Sequence, residues 1–325
     1  MKIWPALLLL SCSSLSDQQA VPATPYVLVL GTAQDAGLPQ LGCTAPCCEA
    51  ARADPAQVRL VAALLIVDPR TNQRWLIDAT PDLGAQVERA RGHPPGRAAA
   101  QPTVGRPALF EGVFLTHAHM GHYTGLAELG REAYAASDLP VYCTAAMASF
   151  LTHNGPWSQL VERGEVSLAV FQPGEPVVLS RDPDTGVPDL TVTAFRVPHR
   201  DEFSDTVGYR VDGPSASLLY IPDIDKWERA EHTLSGWLDS VDVALLDGTF
   251  YADGEIPGRS MADIPHPFIT ETLALLQALP VAPRARVVFT HLNHSNPAAR
   301  AGSEAQLVVQ AAGAHVAREG EVFEL

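Results

Sequence analysis

The sequence predicts an α/β fold in which two sheets are covered by helices. Three observations carry this. Apolar strand-like runs begin at Tyr26, a β-rich stretch occupies Val166 to Val197, and the second half alternates helices with strands. Strands that occur early and late, with helices between them, bury best as two sheets with helices outside. The 325 residues, 46% apolar and 18% charged, have a globular composition. One α/β domain of this size is ordinary, and a single domain over residues 25–325 is expected, with no internal sequence repeat.

Taken in order, Tyr26 to Leu30 reads as a buried strand ended by Gly31. The loop Thr32-Ala33-Gln34-Asp35-Ala36-Gly37-Leu38-Pro39-Gln40 leads to Cys43, Cys47 and Cys48 and to a short helix over Glu49 to Ala53. Leu60 to Val67 and Arg74 to Asp78 form a hairpin around the turn Asp68-Pro69-Arg70-Thr71-Asn72. Pro81 opens a helix running to about Arg91, in the first-turn position proline tolerates. Residues 92–107, rich in proline, form a loop before the strand Gly112 to Leu115. A strand over Leu139 to Tyr142 and a helix over Thr144 to Thr152 follow. Strands are expected at Val166–Val170, Pro176–Leu179, Leu190–Val197, Val207–Val211, Ser217–Ile221, Val241–Leu246 and Arg286–Thr290. Helices are expected from about Lys226 to Leu238, Phe268 to Leu279 and Glu304 to Ala312.

The segment Thr116-His117-Ala118-His119-Met120-Gly121-His122 carries the chemistry. Side chains alternate along an extended chain, so His117 and His119 share a side and can share a metal ion, while His122 reaches a neighbouring point. Imidazole suits zinc, iron, copper and nickel. Other strand ends add candidates: His199 after Val197-Pro198, Asp223 after Ile221-Pro222, and His291 after Phe289-Thr290. Ligand-bearing residues collect on such loops.

The N-terminus reads as a targeting segment. Lys2 precedes the apolar run Ile3 to Leu10, interrupted by Pro5 and too short to span a bilayer. Leu9-Leu10-Ser11-Cys12 resembles a bacterial lipoprotein signal with Cys12 as the lipidated residue; cleavage nearer Ala20 is the alternative. Residues 1–24 are thus read as signal and tether. The expectation is an exported protein, periplasmic or anchored in the outer membrane by a lipid on Cys12. The cysteine cluster at 43, 47 and 48 is explained by a metal, or by a disulfide to Cys143 in an oxidising compartment. The net charge of −15, from 22 basic and 37 acidic residues, argues against a general grip on nucleic acid. It does not exclude an anionic small-molecule substrate at a metal.

These strand-end residues resemble the metallo-β-lactamase-fold hydrolases, whose motif is His-x-His-x-Asp-His followed by a His, an Asp and a final His. The resemblance covers nearly the whole mature chain. It implies an αββα sandwich with His117, His119 and His199 at a first metal, His122 and His291 at a second, and Asp223 between them. Asp78 matches an aspartate that orients a ligand histidine. Val29-Leu30-Gly31-Thr32-Ala33-Gln34-Asp35, the cysteine cluster and Asp78-Ala79-Thr80-Pro81-Asp82 look more closely like the pyrroloquinoline quinone biosynthesis protein B group and its phosphonate-pathway phosphodiesterase relatives. That likeness implies a structural zinc on Cys43, Cys47, Cys48 and His294, although the cysteine spacing departs from the usual one.

Gly121 stands where the motif has its aspartate. The expected consequence is a well-filled first site and a weak or empty second one. Three histidines and Asp223 can still lower the pKa of a bound water toward ~7. The expected activity is a hydrolase using a metal-bound hydroxide on an ester-type substrate, a phosphodiester favoured. Asp223 would be the nearest base, and His266, in the long loop Asp253 to Pro267, a general acid. Arg200 is placed to meet an anionic group or to form a surface ion pair, and Asp247-Gly248-Thr249 to support a ligand. Asn154-Gly155-Pro156-Trp157 reads as a pocket wall or a turn with a packed indole. The site also suits ferrous iron, which keeps open an oxidative or quinone-cofactor-maturation enzyme. A non-catalytic metal-binding lipoprotein is the third reading.

Overall fold

A computed structural model describes residues 21–94, 109–256, 258, 260–261, 264–279 and 285–325. The leader with Cys12, and the loop over Pro102 and Pro107, lie outside the described residues. The first half contains β1 (Tyr26–Gly31), α1 (Pro46–Ala53), β2 (Ala63–Asp68), β3 (Gln73–Ile77), α2 (Leu83–Arg89), β4 (Gly112–Phe114), α3 (Met120–Tyr123), β5 (Leu139–Cys143), α4 (Ala145–His153), α5 (Trp157–Glu162) and β6 (Val166–Val170). The second contains β7 (Pro176–Arg181), β8 (Pro188–Arg196), β9 (Val207–Asp212), β10 (Ser217–Ile221), α6 (Leu234–Ser240), β11 (Val243–Asp247), α7 (Ile269–Gln277), β12 (Arg286–Thr290), α8 (Glu304–Ala311), β13 (His315–Val316) and β14 (Val322–Glu324).

These strands form two seven-stranded mixed sheets, ordered β14-β1-β2-β3-β4-β5-β6 and β13-β12-β11-β10-β9-β8-β7. In the first, β14 to β3 run antiparallel and β3 to β6 parallel. The second repeats the plan, antiparallel from β7 to β10 and parallel from β10 to β13. Alternate residues of β1 and β2 explain the layering. Val27, Val29, Leu64 and Ile66 meet Tyr209, Val211, Leu218, Tyr220 and Leu245 between the sheets. Tyr26, Leu28 and Leu65 turn outward onto Leu83, Leu126, Met147 and Leu151. On the far side, Leu219, Ile221, Leu246 and Phe289 meet Trp237, Leu238, Leu273 and Val309. Strands covered on both faces need apolar residues at every position, which is why these runs lack polar alternation. The result is the expected αββα order of layers.

A polar clamp ties the sheets at one end. Arg70, in the β2–β3 turn, lies 2.9 Å from Asp68 and 2.5 Å from Asp189 of β8, and Ser180 of β7 donates to Asp68.

Several expected elements differ. Pro81 precedes α2 rather than entering it, because Asp82 occupies the N-cap position, and the end toward Arg91 tightens into a 3-10 turn over Ala90–Gly92. The helix expected over Lys226 to Leu238 is broken into a 3-10 turn, Trp227–Arg229, and α6; the Thr233 hydroxyl caps α6 by accepting from the Gly236 N–H. Helix α5 and strands β13 and β14 were not anticipated. Trp157 is the packed indole, its ring 4.8 Å from that of Tyr123. Among the described residues no helix is long and apolar enough to cross a membrane.

Candidate metal centre

The C-terminal ends of β3, β4, β8, β10, β11 and β12 bring the predicted side chains to one edge of the sandwich. Asp247 is in register with Thr290 in the parallel pair β11–β12, which sets Asp247 beside His291. His117, His122, His199, Asp223 and His291 are buried, and His119 is half-buried.

In the first pocket, His119 Nδ1 lies 2.9 Å from His117 Nε2 and 3.2 Å from His199 Nε2. The Asp223 carboxylate is 3.4 Å from His117 Nε2 and 3.2 Å from His199 Nε2. In the second, His122 Nε2 and His291 Nε2 are 3.3 Å apart, and each is 4.0 Å from Asp223 Oδ2. Asp223 therefore stands between the pockets, as the sequence reading expected.

The outer partners of these imidazoles decide which nitrogen carries the proton. Thr116 donates its hydroxyl to Asp78, so it accepts from His117 Nδ1 at 3.0 Å. Asp78 accepts from His122 Nδ1 at 2.8 Å. Thr249 donates to Asp247 and accepts from His291 Nδ1 at 2.9 Å. Glu202 takes His119 Nε2 at 2.9 Å and Asp225 takes His199 Nδ1 at 3.3 Å. In its neutral form each ring is thus left with a lone pair on the inward-facing nitrogen. Lone pairs converging at 2.9–3.3 Å around a carboxylate repel one another unless a cation sits among them. Ligands of a tetrahedral zinc stand about 3.3–3.5 Å apart, so the donor set fits a divalent ion. Asp223 Oδ1, buried with no hydrogen-bond partner, points to the same conclusion.

The electrostatics agree. Burial, aided by His122, holds His117 well below its ordinary pKa, and burial lowers His291; both are neutral, as ligands must be. Burial would also lower His122, but Asp78, Asp35 and Asp223 outweigh it and raise His122 to about 9. Burial opposes the charge of Asp223, yet the surrounding histidines hold its carboxyl well below the usual range. The pocket is built for positive charge.

Asp78 is therefore an orienting partner, held at a φ of 68° that Asp tolerates better than most residues. His266 is buried, its Nδ1 2.8 Å from Asp247 and 3.2 Å from Asp223; burial lowers its pKa, but those carboxylates raise it to about 9. Arg200 is exposed and pairs loosely with Glu202 at 3.6 Å. Glu202, Asp225 and Thr116 were missed as partners; Glu202 and Asp225 lie within three residues of His199 and Asp223, the signal that could have found them. Beside Gly121, Asp35 of the loop after β1 brings a carboxylate the sequence reading did not single out, its Oδ1 lying 3.7 Å from His122 Nε2.

A second cluster lies nearby. The sulfurs of Cys43, Cys47 and Cys48 are 4.0, 3.7 and 3.8 Å from His294 Nδ1. Sulfur and nitrogen ligands of a tetrahedral zinc stand about 3.6 Å apart. Backbone N–H groups of Gln40 and Ala45 point at the Cys48 and Cys43 sulfurs. The disulfide to Cys143 is not formed: Cys143 is a free thiol in the helix-covered core of the first sheet, while the other three pack with Leu38 and Ala51.

A two-sheet sandwich with histidines and an aspartate gathered at its strand ends defines a class of metal-binding proteins. The chain belongs to the β-lactamase superfamily, with the metallo-β-lactamase fold: the family model described as the beta-lactamase superfamily domain matches residues 73–292. It is 29% identical over 320 residues to the coenzyme PQQ synthesis protein B of Methylobacterium sp. (strain 4-46), covering 90% of this chain and 97% of that protein. Its fold is similar to that of Zn2+-bound PqqB from Methylobacterium extorquens, with a TM-score of 0.74 and 23% identity over 92% of this chain and all of that one. A diphosphatase of the PhnP family gives a TM-score of 0.61 at 19% identity, covering 93% and 97% of the two chains.

Proposed function

We propose that this chain is a zinc-dependent hydrolase of small phosphodiester-type substrates. The observation that carries the reading is the convergence of five imidazole lone pairs on Asp223, each imidazole fixed from behind by a hydroxyl or carboxylate. His117, His119, His199 and Asp223 would hold one ion, and His122, His291 and Asp223 a second. A divalent ion there supplies Lewis acidity and lowers the pKa of water toward ~7. The protein does the positioning. Asp78, Thr116, Thr249, Glu202 and Asp225 keep the ligand rings in one tautomer and one orientation. Asp223, between the two pockets, is placed to orient the attacking water. Asp247 holds the His266 imidazole by Nδ1, with Asp223 3.2 Å away, so Nε2 is the nitrogen left to protonate a leaving oxygen. Arg200 is exposed near His119, where it can meet an anionic substrate.

The zinc bound by the PqqB of similar fold supports zinc, and the PhnP-family neighbour, a diphosphatase, supports a substrate with a phosphate group. The test is metal analysis of the purified full chain, followed by turnover of bis-p-nitrophenyl phosphate, lactones and β-lactams. Zinc-dependent cleavage of the phosphodiester, lost in His119→Ala, is expected. Zinc-loaded protein that cleaves none of these overturns the reading. A second reading rests on the first pocket, whose three histidines and one carboxylate also suit ferrous iron, and on the full-length similarity to a coenzyme PQQ synthesis protein. Iron-dependent oxygen uptake would favour it. On the same proposal the leader-like residues before Cys12 direct this chemistry outside the cytoplasm; palmitate labelling lost in Cys12→Ala tests the anchor.

A further inference from the structure

Gly121 sits in α3 with ordinary helical backbone, so no left-handed turn requires it. Glycine in a helix is about 1 kcal/mol less favourable than alanine; something else must select it. A Cβ built on Gly121 would lie 2.3 Å from Asp35 Oδ1 and 2.6 Å from Asp35 Cα. No side chain fits at 121 while Asp35 is in place. The two positions compete for one volume, beside His122.

Asp35 is held there by the backbone. Gln34 donates to the carbonyl of Leu292, and Leu292 donates back to Thr32. Thr32 and Ala33 both donate to Leu60, and the Gly37 N–H closes the loop onto Gln34, with Gly37 at a φ of 70°. The loop after β1 is thus stitched to the residue that follows His291. Asp35 Oδ1 is buried and has no hydrogen-bond partner. Leaving such an atom unsatisfied is expensive; the neighbouring charged group is His122 Nε2, at 3.7 Å and beyond hydrogen-bond reach, while the rest of the Asp35 side chain is partly exposed. Its position explains it: one oxygen of Asp35 and one nitrogen each of His122 and His291 lie within 4.8 Å of one another, a spacing suited to one ion. The match to the superfamily begins at residue 73, so it does not reach Asp35.

We propose that Asp35 is the carboxylate ligand of the second metal pocket, delivered from the loop after β1 in exchange for the carboxylate that the histidine motif lacks at Gly121. The second pocket then has His122, His291, Asp35 and the shared Asp223. Its charge is that of a full site, which removes the reason to expect weak occupancy. This rests on the metal-binding reading above but not on any substrate.

The experiment counts metal, not turnover. The full chain is stripped, reloaded with zinc or cobalt, and analysed by native mass spectrometry with chelator competition. Cobalt–thiolate charge-transfer absorption reports the cysteine cluster separately. The wild type should hold ions in both histidine pockets. Asp35→Asn, close in shape, should lose about one equivalent or bind it at least ~100-fold more weakly, since even the removal of an outer partner weakens metal binding 10–100-fold. The cysteine-cluster absorption should be unchanged. The competition for space is tested by Gly121→Ala, whose Cβ would meet both Asp35 Oδ1 and Asp35 Cα, so the Asp35 loop must move away from His122 and the same ion should be lost or weakened. Retention of both histidine-pocket ions at unchanged affinity in Asp35→Asn overturns the proposal, as does a wild type that fills only one of those pockets. A folded Gly121→Ala that holds both histidine-pocket ions at unchanged affinity overturns the competition between the two positions. A wild type with no ion in either pocket sinks the underlying metal-binding reading as well, so the two failures are distinguishable.

Discussion

Asp78 Oδ2 lies 2.8 Å from His122 Nδ1, with both side chains fully buried. The same carboxylate accepts the N–H and the hydroxyl of Thr116, whose hydroxyl in turn accepts from His117. One aspartate at the end of β3 therefore sets the tautomer of a histidine in each pocket. Asp78→Ala removes both alignments and leaves the buried Thr116 N–H without its acceptor. Zinc affinity should fall about 10–100-fold, measured by chelator competition. Asp78→Asn should preserve the Thr116 contacts better, and unchanged affinity in Asp78→Ala would contradict the assigned role.

The cysteine cluster predicts a second metal effect, on stability. The ion would bind α1 and its loop to His294, three residues past His291. Cys48→Ser should lose the thiolate absorption of the cobalt form and expose the loop around Gln40 to protease. An ion held at ~1,000 times its Kd contributes about 4 kcal/mol, and each kcal/mol moves Tm by ~2–4 °C in a large domain. The loss should therefore be roughly 8–16 °C by calorimetry. Burial and the neighbouring thiols push the Cys48 pKa up to about 11. An ion must displace that proton, so affinity at this cluster should rise with pH.

Much of the architecture was legible because its signals are local. Val27 to Leu30 and Leu64 to Val67 announce strands covered on both faces. His117, His119, His199, Asp223 and His291 each follow such a run, and Cys43, Cys47 and Cys48 stand out by crowding. What was not legible depends on partners distant in the chain. Asp35 reaches the site only through the hydrogen bonds between its loop and Leu292. Strand β14 is three residues long and is defined by its pairing with Tyr26 to Leu28. The break before α6 comes from one hydroxyl, that of Thr233, which apolar spacing over Lys226 to Leu238 does not reveal.

The clamp between the sheets predicts acid sensitivity. Burial would raise the Asp68 pKa, but hydrogen bonds from Arg70 and Ser180 win and hold it below the ordinary carboxylate value. A depressed folded-state pKa contributes stability that is present above the unfolded value, near ~4, and is lost as pH falls through the folded one. Asp68→Asn should flatten the acid limb of a urea-unfolding series. Asp68→Ala should be destabilising by about 3–5 kcal/mol, toward the lower figure because Arg70 keeps Asp189 as a partner.

His266 separates chemistry from metal binding most cleanly. Its imidazole sits over the same edge as the ligands, its ring centroid 5.5 Å from that of His199 and 6.3 Å from that of His291. Yet Nδ1 is engaged by Asp247, and neither pocket needs it for a complete donor set. If it protonates the leaving group, His266→Asn should leave zinc content unchanged and lower kcat by on the order of 10²–10⁴-fold, the usual contribution of a positioned acid. The defect should shrink for substrates whose leaving group is a good one, such as p-nitrophenolate, and be largest for alkoxide leaving groups, because only the latter require protonation. Asp223→Asn should behave oppositely, losing metal along with turnover. Equal losses for both leaving groups in His266→Asn would show that His266 shapes the pocket and does not transfer the proton.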